Sequence, residues 1–129
     1  MNTAEIAAVV ASVLLATLII FQLLLAAGLP LAAYAWGGQY EGVLPTNLRW
    51  ASLVAIPILA LAAWSVLAGA GLVLLGAESR VLGIAVWVFA AYFALNTLMN
   101  RISKSPSERL VMTPVSLVLT ICYVIVAFS

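Results

Sequence analysis

The side chains that could bind a charged ligand are four cations in two short loops. Arg49 ends the first loop, and Arg101, Lys104 and Arg109 lie in or beside the second. Arg49 and Arg109 follow helix-start signals, so each lies near the positively polarised N-terminal end of a helix. The two helix ends and the four cations can therefore converge on one anion or phospholipid head group. The predicted contact residues are Trp36, Asn47, Arg49, Arg101, Lys104 and Arg109. The alternative, which we favour, is that these cations set the topology and contact lipid phosphates.

A second group of polar side chains lies within apolar stretches. Gln22 falls in the first stretch, and Asn96 and Asn100 lie four residues apart in the third. Residues four apart share a helix face, and amides in lipid turn toward other helices. We expect intramembrane polar contacts by these three residues, either as hydrogen bonds between helices or, with Thr97, as one wall of a polar path.

Several chemistries lack their residues. Histidine is absent, which excludes bis-histidine haem and histidine-ligated zinc, and a single cysteine, Cys122, excludes an internal disulfide. Every carboxylate lies at the end of a predicted span rather than inside one. Proton-coupled export by the small multidrug exporters, which the chain matches in size, depends on a buried acid, so we do not expect that mechanism. If Ser105 or Ser107 acted as a nucleophile, Lys104 would be its only candidate general base. We expect no catalytic residue, no metal site, no cofactor and no enzyme.

The elements that position these residues are predicted to be membrane helices. The 129 residues are 67% hydrophobic and 7% charged, with a mean hydropathy of +1.27, far more apolar than a soluble domain. A net charge of +1 offers no field for nucleic acid. The uncharged stretches are 6–40, 50–77, 81–100 and 110–129, each long enough to cross a bilayer as a helix.

The fold prediction is an all-α, polytopic membrane protein. Lipid leaves no partner for unpaired backbone groups, and the sequence lacks the alternating strands of about ten residues with turn signals that a barrel needs, so helices are favoured over a β-barrel. We expect one transmembrane four-helix domain over residues 1–129. Its approximate spans are 4–35, 50–76, 81–100 and 107–128.

Start signals mark the first and fourth helices. Asn2 or Thr3 with Glu5 can cap the first helix, and Ser105 with Glu108 fits a capping box at the start of the fourth. The Glu5 flank is not the positive region of a cleaved secretory signal, so we expect the first helix to be retained.

Glycine and proline predict irregularities in the helices. Gly28 and Pro30 predict a kink at residues 26–30, and Trp36-Gly37-Gly38 is expected to end the first helix and leave a flexible approach to the cationic loops. Pro57 and Pro114 are expected to curve the second and fourth helices.

Charge asymmetry predicts the orientation. Loops 36–49 and 100–109 carry all the cations except Arg80, which lies in the predicted turn at 76–80 with Glu78. The positive-inside rule therefore places both loops in the cytoplasm and both termini outside.

Short motifs resemble those of small four-helix bacterial membrane proteins that carry no assigned function. They are Trp36-Gly37-Gly38, Leu44-Pro45, Leu48-Arg49, Asn100, Ser105, Glu108-Arg109 and Pro114. The resemblance implies a four-helix fold and a bacterial inner (plasma) membrane, and it implies no activity.

Three functions remain, of which two, from different classes, are the main candidates. The first is association: an accessory or scaffold subunit of a membrane complex, or a homo-oligomer, whose basic cytoplasmic rim contacts anionic membrane lipid. Small residues such as Ala8 and Ser12 in the first helix and Ala51 and Ala55 in the second would allow close packing. The alternative is an oligomeric channel or carrier for an anion or an amphipathic small molecule. A lipid-head-group enzyme is a distant third.

Overall fold

The computed structural model describes residues 1–73 and 79–129, and these residues form four long α-helices without a strand. The helices are α1 (Thr3–Ala27), α2 (Thr46–Gly69), α3 (Ser79–Arg101) and α4 (Pro106–Phe128). Each is long and apolar enough to cross a membrane, which confirms the all-α class and the expected number of four helices that could span a membrane. Glu78 and most of the predicted turn at 76–80 lie outside the described residues.

The helices pack as two hairpins that meet side by side. Helix α1 packs mainly on α2, and α3 packs mainly on α4, while α1 against α4 and α2 against α3 close the bundle with fewer contacts. The shared core centres on the fully buried Leu15, Val66, Leu119 and Tyr123. The Tyr123 hydroxyl donates a hydrogen bond to the Ala62 carbonyl and so links α4 to α2.

The start of α1 confirms the predicted cap. The Asn2 side chain accepts the Glu5 N–H at 2.8 Å, and the Glu5 carboxylate accepts the Asn2 N–H at 3.3 Å. This reciprocal pair is a capping box, and it satisfies two donors that have no partner within the helix.

The end of α1 differs from the prediction. The helix stops at Ala27 rather than near residue 35, and it stops rather than kinks, because Gly28 takes a left-handed conformation (φ 95°). The Gly28 N–H then bonds back to the carbonyls of Leu24 and Leu25, a geometry that favours glycine and terminates helices. Pro30 follows just beyond this end.

The segment between α1 and α2 is folded onto the end of the bundle. Two short 3₁₀ turns, Ala32–Tyr34 and Trp36–Gly38, interrupt it. Leu25, Ala32 and Leu44 form a small buried cluster that holds the segment against α1. The Trp36-Gly37-Gly38 motif therefore belongs to a packed connection rather than to the end of the first helix.

Candidate ligand-binding cavity

A cavity of about 590 Å³ lies between the two hairpins. All four helices and the 3₁₀ segment contribute to its wall, and most of the wall is apolar. The apolar residues that line it include Phe21 of α1, Ile58 of α2, Phe93 of α3 and Leu119 of α4. The cavity is partly open, and the 3₁₀ segment, through Tyr34–Gly37, covers part of it.

Amide and carboxylate side chains converge on this cavity from three helices. Gln22 comes from α1, Asn96 and Asn100 come from α3, and Glu108 comes from the first turn of α4. The structure thus brings together the three amides that the sequence marked as intramembrane polar contacts. The Glu108 carboxylate joins them, although its place in the sequence does not predict this.

The three amides differ in how they are engaged. The Asn100 amide nitrogen donates to the Met112 carbonyl and to the Ser116 hydroxyl, both at 3.2 Å, and so joins α3 to α4. No hydrogen bond within the described residues engages the side chains of Gln22 or Asn96, which leaves both available in the cavity wall. Thr97 is absent from the wall, and its hydroxyl bonds the Phe93 carbonyl of its own helix.

Glu108 is the main departure from the sequence analysis. Its side chain lies at a helix end, as the charge pattern indicates, but it is only 3% exposed and lines the cavity. The expectation that the bundle holds no buried acid is therefore wrong. A buried acid therefore does not distinguish proton-coupled exporters from this chain.

Glu108 also does not form the predicted capping box. In such a box the glutamate would accept the Ser105 N–H, but that N–H donates instead to the Ser103 hydroxyl at 3.1 Å. The Ser105 side chain makes no capping hydrogen bond either. With its usual donor taken by Ser103, the Glu108 carboxylate is left facing the cavity.

The two first-turn arginines donate to backbone carbonyls that precede their helices: Arg49 to one at the end of α1, and Arg109 to one in the connection between α3 and α4. Arg49 Nε donates to the Ala26 carbonyl at 3.1 Å, and Arg109 Nη1 donates to the Ser103 carbonyl at 2.6 Å. The carbonyls at the end of α1 attract cations, so Arg49 finds there the compensation that its position at a helix start lacks. Neither arginine lines the cavity.

The other members of the predicted cationic site are dispersed. Asn47, Arg101 and Lys104 are exposed and outside the cavity wall, whereas Trp36 lines the cavity. Of the six predicted contact residues, the structure therefore brings only Trp36 to this cavity.

The 3₁₀ segment is held against the α3–α4 connection. The Lys104 N–H donates to the Gly37 carbonyl at 3.0 Å, and a Cβ at Gly38 would overlap Ser105. Trp36 takes a positive φ of 56°, which costs a bulky residue about 1–2 kcal/mol. Strain at a residue that lines a cavity is typical of functional sites.

No family, curated protein or solved structure matches the chain. The class that the fold defines is a four-helix protein with candidate membrane spans and a mixed polar and apolar cavity between its hairpins.

Proposed function

We propose that this protein is an integral membrane protein that binds a small amphipathic molecule between its two hairpins. The cavity carries the proposal. Its volume of about 590 Å³ falls within the roughly 300–1,000 Å³ typical of small-molecule sites. A mostly apolar wall with a few convergent polar groups is also typical of such sites.

The cavity favours an amphipathic ligand over a simple anion. Among the described residues that line it, none is a lysine or an arginine. Arg49 and Arg109 donate to backbone carbonyls elsewhere. An anion would therefore enter a wall whose charged group is the carboxylate of Glu108.

The proposed orientation follows from the charge pattern, and the proposed membrane follows from the resemblance to small four-helix bacterial membrane proteins. We place the protein in a bacterial inner membrane with both termini outside, so that the cavity lies at the cytoplasmic end of the bundle. The exposed Arg101 and Lys104 would contact anionic lipid there. A C-terminal reporter that is active only in the cytoplasm should stay inactive. Association with another membrane protein or with itself, and the lack of catalytic activity, remain predictions.

A neutral probe tests the cavity without testing its charge preference. Triphenylphosphine oxide combines an apolar aryl body with one hydrogen-bond acceptor. We expect saturable binding at one molecule per chain in equilibrium dialysis against protein in lipid nanodiscs, with empty nanodiscs as the blank. Flux of the same probe into proteoliposomes would extend binding to transport.

A cavity-filling variant locates the binding. Ala55 lines the cavity and Ala60, on the same helix, is exposed outside it. Ala55→Phe should weaken binding at least about tenfold, since the ring occupies the site, and Ala60→Phe should leave it unchanged. Equal binding by both variants, or no saturable binding by the parent chain, would overturn the proposal.

A further inference from the structure

We propose that the ligand of this cavity is an organic cation with an apolar body, and that the Glu108 carboxylate is its counter-ion. This inference rests on the proposed function and adds the charge of the ligand to it. It depends on three features of the cavity: a buried carboxylate, a wall without a cationic side chain, and a concentration of aromatic rings.

The carboxylate is buried without a cationic partner in the wall. Glu108 is 3% exposed, and the described residues that line the cavity with it include no lysine or arginine. A charge removed from water is costly unless it is paired and hydrogen-bonded. Carboxylates within membrane bundles accordingly face partners or ligand pathways. A cationic ligand would supply the missing partner.

The nearest candidates for pairing are engaged elsewhere. The Ser105 N–H, which a capping glutamate would accept, donates to Ser103. Arg109, the next residue in the chain, turns its Nη1 to the Ser103 carbonyl. Local structure therefore leaves the Glu108 carboxylate free for a molecule in the cavity.

The remaining wall suits an organic cation better than a metal ion. Five aromatic side chains surround the space: Phe21, Tyr34, Trp36, Tyr92 and Phe93. Aromatic faces attract organic cations, and they also pack against apolar groups. A hard metal cation would need six or more oxygen ligands. Among the described residues no group of histidine, cysteine and carboxylate side chains could hold a metal ion.

A pair of ions with the same shape separates charge from size. Tetraphenylphosphonium and tetraphenylborate share a tetrahedral aryl body and carry opposite charges. In dialysis against nanodisc-embedded protein, with empty nanodiscs subtracted, we expect the cation to bind at least about tenfold more tightly than the anion. Equal affinities, or tighter binding of tetraphenylborate, would overturn the inference even if the neutral probe binds.

Glu108→Gln removes the charge and keeps the shape. We expect it to lower tetraphenylphosphonium affinity about tenfold and to remove the preference for tetraphenylphosphonium over tetraphenylborate. The matched control is Glu5→Gln, because Glu5 is also the third residue of its helix and lies outside the cavity. An acid in the first turn also interacts favourably with the helix dipole, and the control removes such an acid at a helix start that does not border the cavity. If both substitutions have the same effect on the cation, the counter-ion role is refuted.

Glu108→Asp keeps the inference testable if Glu108→Gln fails to fold. The shorter side chain retains the charge, so the preference for the phosphonium over the borate should persist with a lower affinity. An aspartate variant that binds the neutral probe but has lost the preference would contradict the inference. Loss of neutral-probe binding by the parent chain would instead refute the proposed function, so the two failures are distinguishable.

Discussion

The starts of α1 and α4 carry the same signal and use it differently. Each has a polar residue at the cap and a glutamate three residues later: Asn2 with Glu5, and Ser105 with Glu108. At α1 the glutamate closes a capping box. At α4 the glutamate makes no such bond and is buried against a cavity.

The difference arises from one residue outside the motif. Ser103 lies two residues before the α4 cap, and its hydroxyl accepts the N–H that the glutamate would otherwise accept. A capping signal therefore identifies a helix start without deciding what its acid does. An acid released from its cap becomes available for a ligand.

The largest effect should come from forcing apart the contact that supports the α4 start. Gly38 has a φ of 72°, and a Cβ there would overlap Ser105. We expect Gly38→Ala to lower the free energy of unfolding by about 3 kcal/mol, from backbone strain and overpacking together. Unfolding in mixed detergent micelles would measure it.

The control for this substitution lies one residue earlier. Gly37 also has a positive φ, of 68°, but a Cβ there would meet no atom within 4 Å. Gly37→Ala should therefore cost only the left-handed backbone penalty of about 1 kcal/mol. If the two variants lose equal stability, contact with Ser105 is not what fixes Gly38.

The next largest effect should be the difference in stability lost when the cap residue of each helix is replaced by alanine. Asn2→Ala should lower the free energy of unfolding by about 1 kcal/mol, because its side chain accepts a backbone N–H. Ser105→Ala should cost at most about 0.3 kcal/mol, since the Ser105 hydroxyl makes no capping bond. The same unfolding titration compares them. A larger loss for Ser105→Ala would contradict the difference described above.

The smallest effect should come from restoring the capping box. In Ser103→Ala the Ser105 N–H loses its acceptor, so the Glu108 carboxylate becomes the nearest replacement. We expect tetraphenylphosphonium affinity to fall about threefold, equivalent to one neutral hydrogen bond. Ser107→Ala, in the same turn, serves as the control. Unchanged affinity in Ser103→Ala would mean that Ser103 does not hold the carboxylate free.

The helices could be predicted from the sequence because charges are scarce and hydrophobic runs are long. The Asn2–Glu5 cap was also predictable, since both partners lie within four residues. The end of α1 was misplaced because glycine followed by proline fits both a kink and a stop. The hydrogen bonds from the Gly28 N–H to the Leu24 and Leu25 carbonyls end the helix, and the spacing of residues does not predict whether these bonds form.

The candidate cavity was only partly predictable. Amides within apolar runs must turn inward, and Gln22, Asn96 and Asn100 do line the cavity. The position of Glu108 depends on Ser103, and the partners of Arg49 and Arg109 depend on how each hairpin closes. Such contacts arise from tertiary packing, which the sequence does not show. From the sequence alone, the positions of the two arginines are as consistent with an anion site as with the backbone contacts that the structure contains.

The two arginine contacts bear on how the molecule is assembled. Arg49 fastens the beginning of α2 to the end of α1, and Arg109 fastens the beginning of α4 to the connection after α3. Each hairpin thus carries its own closure. The cavity is the part that neither hairpin can make alone, so it comes into being only when the two halves dock.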